Sequence, residues 1–213
     1  MRGLIVDWGG VLTSGLGESM SAWCEDDGID YAAFRSVMWE WLGPEVGEEA
    51  RWNPVHALER GELEVPHFEA SLAARLRRRD GSELPAEGLL DRMFARFEHA
   101  PDMAGLVHRA HRAGLRTALL SNSWGNSYPR DGWEEMFDTV VISGEVGMRK
   151  PEPGIYRLVL SRLGLGAGEC VFVDDMRVNV LAAVTLGMVG IVHTGYEETA
   201  AELEAIFGLP LRD

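Results

Sequence analysis

Hydrophobic positions along the chain follow two regimes. Between about residues 18 and 98 they recur at helical spacing; outside that stretch they come in short unbroken runs. The first run is Gly3, Leu4, Ile5 and Val6, the pattern of a strand buried on both faces. Ser14 to Gly17 reads as a flexible loop. Met20, Trp23 and Cys24 then share one helical face, which Gly28 ends. Asp30 is placed to cap a second helix with the stripe Phe34, Val37, Met38 and Trp41, broken by Gly43-Pro44. Asn53-Pro54 gives a cap with proline in the first turn. Pro66 opens a longer helix through Phe68, Leu72 and Leu76, with Arg77, Arg78 and Arg79 facing water. Leu89, Leu90, Met93, Phe94 and Phe97 mark another. No convincing strand is legible between 18 and 98, so this stretch reads as a helical insertion.

From Pro101 the pattern alternates. Ala104 to Ala113 reads as a helix stopped by Gly114, and Thr117 to Leu120 as a strand ending at Ser121-Asn122. A polar, glycine-containing loop runs to Gly132. Thr139 to Ile142 is a strand, Pro153 to Leu163 a helix, and Val171 to Val173 a strand ending at Asp174-Asp175. Val178 to Leu186 is helical up to Gly187, Ile191-Val192 is a fifth strand, and about 197 to 207 a last helix. Helices alternating with short apolar strands predict an α/β fold with a parallel sheet covered on both sides.

Composition narrows the partners. A net charge of −14 argues against nucleic acid or an anionic membrane and suits a protein that attracts divalent cations. No apolar run approaches the ~20 residues of a membrane span. Cys24 and Cys170 lie far apart, without metal-type spacing, and no signal-type run follows Val6; the expected setting is reduced and cytoplasmic. Lys150 is the only lysine in the chain.

Polar residues close the strands. Asp7 follows the first, Ser121 the second and Asp174-Asp175 the fourth, while Lys150 opens the turn into the helix at Pro153. Parallel strands point one way, so these groups meet at one sheet edge, where α/β ligands bind. An Asp at a strand end is often a helix cap, and Ser-Asn is often a turn. Together, however, the set suits phosphoryl transfer. Carboxylates hold Mg²⁺, an aspartate can accept the phosphoryl group, and lysine supplies a compact cation. A hydroxyl and backbone N–H groups bind phosphoryl oxygens.

The chain resembles the haloacid dehalogenase superfamily, which is mostly phosphatases. The resemblance covers nearly the whole chain. Its motifs are Asp7-Trp8-Gly9-Gly10-Val11-Leu12, Ser121-Asn122, Arg149-Lys150-Pro151-Glu152-Pro153, and Val173-Asp174-Asp175 followed by Asn179. It implies a Rossmann-like core over 1–17 and 99–213, with a helical cap over 18–98. It implies Asp7 as nucleophile and Mg²⁺ ligand, the Gly9 carbonyl as a further ligand, Ser121 on the phosphoryl group and Lys150 paired with Asp7. Asp175 is then the direct metal ligand and Asp174 holds a metal-bound water. Trp8, Gly9, Gly10 and Asn122 join Ser121 and Lys150 around the phosphate. The expected substrate is a small phosphorylated metabolite.

One position departs from the family pattern. Phosphatases of the family carry a second aspartate two places after the nucleophile; here that position is Gly9. The acid that protonates the leaving group is missing, and such help is typically worth ~10²–10⁴-fold. A slow or selective Mg²⁺-dependent phosphatase is the leading reading. The alternatives are a catalytically impaired protein that binds a phosphorylated ligand or a partner, and a metal-independent dehalogenase, which the paired Asp174 and Asp175 disfavour. A phosphonatase needs a cap lysine, and 18–98 contains none. His56 and His67 are alternative acids, although surface or packing roles are commoner. Trp23, Trp39, Trp41 and Trp52 read as cap core before pocket lining; Trp8 and Trp124, beside the motifs, have the better case for a pocket. Asn179 either orients the Asp174-Asp175 loop or caps a helix.

Overall fold

A computed structural model describes residues 1–42, 53–125 and 127–212. Five parallel strands form one sheet in the order β3-β2-β1-β4-β5. They are β1 (Gly3–Val6), β2 (Arg116–Ser121), β3 (Thr139–Ile142), β4 (Cys170–Asp174) and β5 (Val189–Val192). The chain builds outward from β1 to β2 and β3, then crosses back to β4 and β5. The order therefore reverses between β1 and β4, the place where an open α/β sheet leaves a crevice beyond its carboxyl ends. Val6 is level with Leu119 of β2 and Val173 of β4. One step on, Asp7 lies between Leu120 and Asp174, with Ser121 one residue further.

Side-chain alternation gives the sheet two apolar faces. Leu4, Val6, Leu119, Val171 and Val173 pack with α6 (Pro101–Arg112) and α10 (Tyr196–Phe207). Ile5, Ala118, Leu120 and Phe172 pack with Ile155, Tyr156 and Val159 of α8 (Pro153–Leu163) and Ala183 of α9 (Arg177–Thr185). This is the expected parallel sheet covered on both sides.

The first five described helices after β1 form a third core. They are α1 (Leu16–Asp26), α2 (Tyr31–Leu42), α3 (Pro54–Glu59), α4 (Val65–Arg75) and α5 (Leu89–Phe94), and they bury Trp23, Phe34, Phe68, Leu72, Leu89 and Met93 among others. Asn53 caps α3 by accepting from the Val55 and His56 amides, as its Asn-Pro sequence implies. The chain enters and leaves this unit side by side. The Ser14 amide donates to the Glu98 carbonyl at 2.7 Å and the Ala100 amide to that of Leu12 at 2.9 Å.

Several local readings change. Helix α1 starts at Leu16, inside the expected loop, without a side-chain cap. Leu76 lies past α4 in extended conformation, apolar because it fills the helical core and not because it continues the helix. The stretch is not free of pairing: isolated antiparallel bridges join Ile29 to Arg78 and Arg77 to Glu83. Arg78 is half-buried, with Nε donating to the Asp27 carbonyl at 3.1 Å. A four-residue helix, α7 (Ser143–Val146), follows β3, ahead of the helix expected at Pro153. Gly43-Pro44 and Trp52 lie outside the described residues.

Candidate active site

The sheet edge brings the strand-end residues together. Lys150 is 1% exposed and lies 2.8 Å from Asp7 Oδ1 and 2.6 Å from Asp174 Oδ2. The Asp7 pairing matches expectation; the Asp174 pairing is additional. Asp7, Asp174 and Asp175 each place a carboxylate oxygen within 4.8 Å of the others. With all three carboxylates ionised, as a bound cation would keep them, three against one ammonium leave two net negative charges at a mostly buried point.

The three acids are not equivalent. Both Asp174 oxygens are engaged, by Lys150, by the Met176 amide at 2.8 Å and by Asn179 Nδ2 at 3.0 and 3.1 Å. Asn179 therefore orients Asp174, while helix α9, with Met176 at its N-cap, has no side-chain cap. Asp7 Oδ1 accepts from Lys150 and the Trp8 amide, the latter at 2.7 Å. Asp175 Oδ1 is buried and has no hydrogen-bond partner among the described residues. No described hydrogen bond ends on the Gly9 carbonyl. An orphaned carboxylate oxygen, hard oxygen donors and an excess of two negative charges fit a divalent cation such as Mg²⁺.

Titration behaviour follows from burial and crowding. Burial is the largest influence on Asp7 and pushes its carboxyl up; Lys150 opposes this, and Asp174 and Asp175 add to it. Asp175 is pushed up to about 6, first by burial and then by Asp174. Burial acts against the charge on Lys150, but attraction from Asp174 and Asp7 outweighs it and holds the ammonium protonated.

The glycines of the first motif have different duties. Gly10 adopts φ +72°, and a Cβ there would stand 2.4 Å from Asp175 Oδ2. Only glycine lets the β1 turn pass so close to that carboxylate. Gly9 has no left-handed φ, and a Cβ there would meet only Leu16 Cδ2 at 3.7 Å.

Ser121 is buried at the end of β2, its hydroxyl 3.0 Å from that of Tyr128. Tyr128 went unread because it sits in the aperiodic loop after Asn122. Burial pushes its phenol up to about 12, so it keeps its proton. Asn122 grips the Lys150 main chain in both directions: its Oδ1 accepts the Lys150 amide at 2.8 Å and its Nδ2 donates to the Lys150 carbonyl at 3.0 Å. Its side chain thus sets the position of the lysine.

A cavity of about 250 Å³ opens from Asp7, Ser121 and Lys150 toward the helical unit. Trp8 and Trp124 line it. Trp23 is buried in the helical core, Trp41 packs on Phe68, and Trp39 is 73% exposed. His67 is exposed, and neither it nor His56 is among the lining residues. A second pair of charges also went unread. Glu59, at the end of α3, accepts from Arg149 Nε and, at 3.2 Å, from Trp124 Nε1. Burial raises its carboxyl pKa, with Arg149 opposing. Beside it, Arg60 pairs with Glu152. These residues lie about ninety positions apart and have no local signature.

Comparisons with known proteins bear on the fold and the family. A family model for haloacid dehalogenase-like hydrolases matches residues 1–187. The mouse protein Acyl-CoA dehydrogenase family member 10 is 38% identical over 116 residues, 52% of this chain and 11% of that protein. Sesquiterpene phosphatase astK of Aspergillus oryzae is 40% identical over 74 residues, 35% of this chain and 38% of that enzyme. The matches thus span well under half of these relatives' own lengths. The crystal structure of a HAD-family enzyme, bt-2542 of Bacteroides thetaiotaomicron, in complex with magnesium and inorganic phosphate, superposes with TM-score 0.62 at 20% identity. The match covers 90% of this chain and 93% of that one. No helix among the described residues is long and apolar enough to cross a membrane.

Proposed function

The chain belongs to the haloacid dehalogenase-like hydrolase family, and from that premise we propose that it is a Mg²⁺-dependent phosphatase of a small phosphorylated metabolite, acting through an aspartyl-phosphate. The observation that carries the reading is the buried set of Asp7, Asp174 and Asp175 around the one lysine, with the Asp175 oxygen left unpartnered. A phosphatase among the relatives and a fold neighbour holding magnesium and phosphate support it.

In this reading residues 1–17 and 99–213 form the catalytic core and 18–98 the cap. Asp7, Asp175 and the Gly9 carbonyl would hold the ion, and Asp174 would hold one of its waters. Bound there, Mg²⁺ supplies positive charge to the phosphoryl oxygens and offsets the crowded carboxylates. The Asp7 carboxylate attacks phosphorus, a P–O bond forms, and the ester P–O bond breaks with its electron pair leaving on the alcohol oxygen. Lys150 and Ser121 stabilise the phosphoryl group, with Trp8, Gly10 and Asn122 shaping its surroundings. Tyr128 orients the Ser121 hydroxyl. Water then attacks phosphorus, releasing inorganic phosphate and restoring Asp7. Gly9 offers no acid to the leaving oxygen, so alcohols that leave without a proton are favoured.

Phosphate release from phenyl phosphate, with Mg²⁺ and after chelation, tests the reading. Release is expected with Mg²⁺ only, and Asp7→Asn is expected to abolish it in a folded protein. Turnover that survives chelation or Asp7→Asn defeats it. A folded parent that binds phosphate but hydrolyses no ester points instead to the binding role that Gly9 leaves open.

A further inference from the structure

The chemistry-bearing residues account for only one end of the cavity. Its helical wall is built from Met20, Phe34, Met38, Phe94 and Phe97, facing Trp8 and Trp124. Apolar character continues to the surface on both sides. Leu42, on the helical side, is 43% exposed, while Met176 and Val178, on the sheet side, are 45% and 50% exposed. Large apolar side chains held at a cavity mouth have a binding explanation more readily than a packing one.

The polar side chains among the described lining residues tell the same story from the other direction. Glu59 is taken by Arg149 and Trp124, Asn122 by the Lys150 main chain, Asn179 by Asp174, and Tyr128 by Ser121. Arg149, the cation nearest Lys150 in the chain, is committed to Glu59. A sugar or amino-acid body would bury hydroxyls or charges against this wall without partners, and each unpaired group costs affinity.

We propose that the substrate is the phosphate monoester of an uncharged, apolar alcohol, whose hydrocarbon body fills the cavity between the helical wall and Trp8. The proposal rests on the phosphatase reading of the same site. An apolar cavity of about 150 Å³ holds a benzene, so about 250 Å³ accommodates a phosphate and a body on the scale of one ring or a short hydrocarbon chain.

The test separates body from leaving group. Hexyl phosphate and glycerol phosphate are both alkyl esters and differ mainly in polarity. With Mg²⁺, kcat/KM for hexyl phosphate is expected to exceed that for glycerol phosphate by about 10- to 100-fold, the worth of burying one apolar side chain's area. Benzylphosphonate, which cannot be hydrolysed, is expected to bind more tightly than phosphonoacetate by a similar factor in calorimetry. Met38→Gln and Val178→Gln, from the two sides of the cavity, are each expected to shrink both ratios. Equal or reversed ratios overturn the proposal while leaving the phosphatase reading intact, as do ratios unmoved in both variants. If acetyl phosphate, which needs neither an acid nor a body, is also not hydrolysed and neither phosphonate binds, the phosphatase reading falls with it.

Discussion

The two walls of the cavity solve different physical problems. The sheet wall gathers three carboxylates and a lysine where water is scarce, with Asp174 0% and Lys150 1% exposed. Such a cluster holds only because most of its atoms are paired: the lysine bridges Asp7 and Asp174, and Asn179 and the Met176 amide complete Asp174. Among the described residues the helical wall has one charged side chain, Glu59, immediately matched by Arg149, and the other described side chains on that wall are hydrocarbon or thioether. A wall with excess charge and an unfilled oxygen suits an ion and a phosphate. A wall whose described side chains offer no free polar group selects an apolar body by shape and area. Among the groups that join the walls, the Glu59–Arg149 and Arg60–Glu152 pairs tie α3 to the segment around Lys150, and Trp8 stacks on Phe97 at 6.1 Å.

The largest expected effect comes from adding to the sheet wall what its family pattern has and it lacks. Gly9→Asp is compatible with the backbone, since Gly9 has no left-handed φ and its nearest obstacle is Leu16 at 3.7 Å. The new carboxyl is expected to raise hexyl phosphate turnover by ~10²–10⁴-fold, the range of a positioned general acid. Phenyl phosphate, with its better leaving group, is expected to gain far less. Parallel kinetics on the two esters check this. A parent that already hydrolyses both esters equally fast shows that another group supplies the proton.

Next in size is the loss of the lysine. Lys150→Ala leaves three carboxylates without their cation and is expected to lower stability by about 3–5 kcal/mol, the usual consequence of breaking a buried pair from one side. Urea unfolding measures it. Added Mg²⁺ is expected to restore part of the loss, because an ion that binds only the folded state stabilises it by mass action. A loss below about 1 kcal/mol, or no recovery with Mg²⁺, contradicts the charge balance described for the sheet wall.

The sheet wall was also the readable one. Its strands are short apolar runs, and Asp7, Ser121 and Asp174-Asp175 are the polar residues that end them, so strand direction alone gathers them. Strand order was not readable, because register and the reversal between β1 and β4 arise from packing between distant segments. Tyr128 and the Glu59–Arg149 pair were missed for the same reason: each meets its partner only through the fold. In the helical unit, periodicity identified helices but not which faces matter. Trp23 and Trp39 look alike as pattern, yet one is buried beside Asp27, to which its Nε1 donates at 3.1 Å, and the other is 73% exposed. Helix α7 has four residues, too few to show a period at all.

The smallest effect asks whether the two regions also differ in how readily they open. The chain has two cysteines, and each reports on one region. Cys24 lies in the helical core and Cys170 in the sheet core, both fully buried. Burial pushes Cys24 up to about 12 and Cys170 up to about 11, so neither thiol reacts while its surroundings are closed. Alkylation therefore counts openings. Cys24 stands on α1, which packs on α2 and on α5, a helix of six residues, with no sheet ladder around it among the described residues. Cys170 instead opens β4, paired with Gly3 of β1, in a strand flanked by β1 and β5. Cys24 is thus expected to be labelled several-fold faster than Cys170 in the native protein, by peptide mass analysis of timed iodoacetamide quenches. Mg²⁺ with benzylphosphonate, touching both walls, is expected to slow Cys24 more than Cys170. Equal rates for the two thiols, with or without ligand, mean that the regions open as one unit and that their contrast is chemical only.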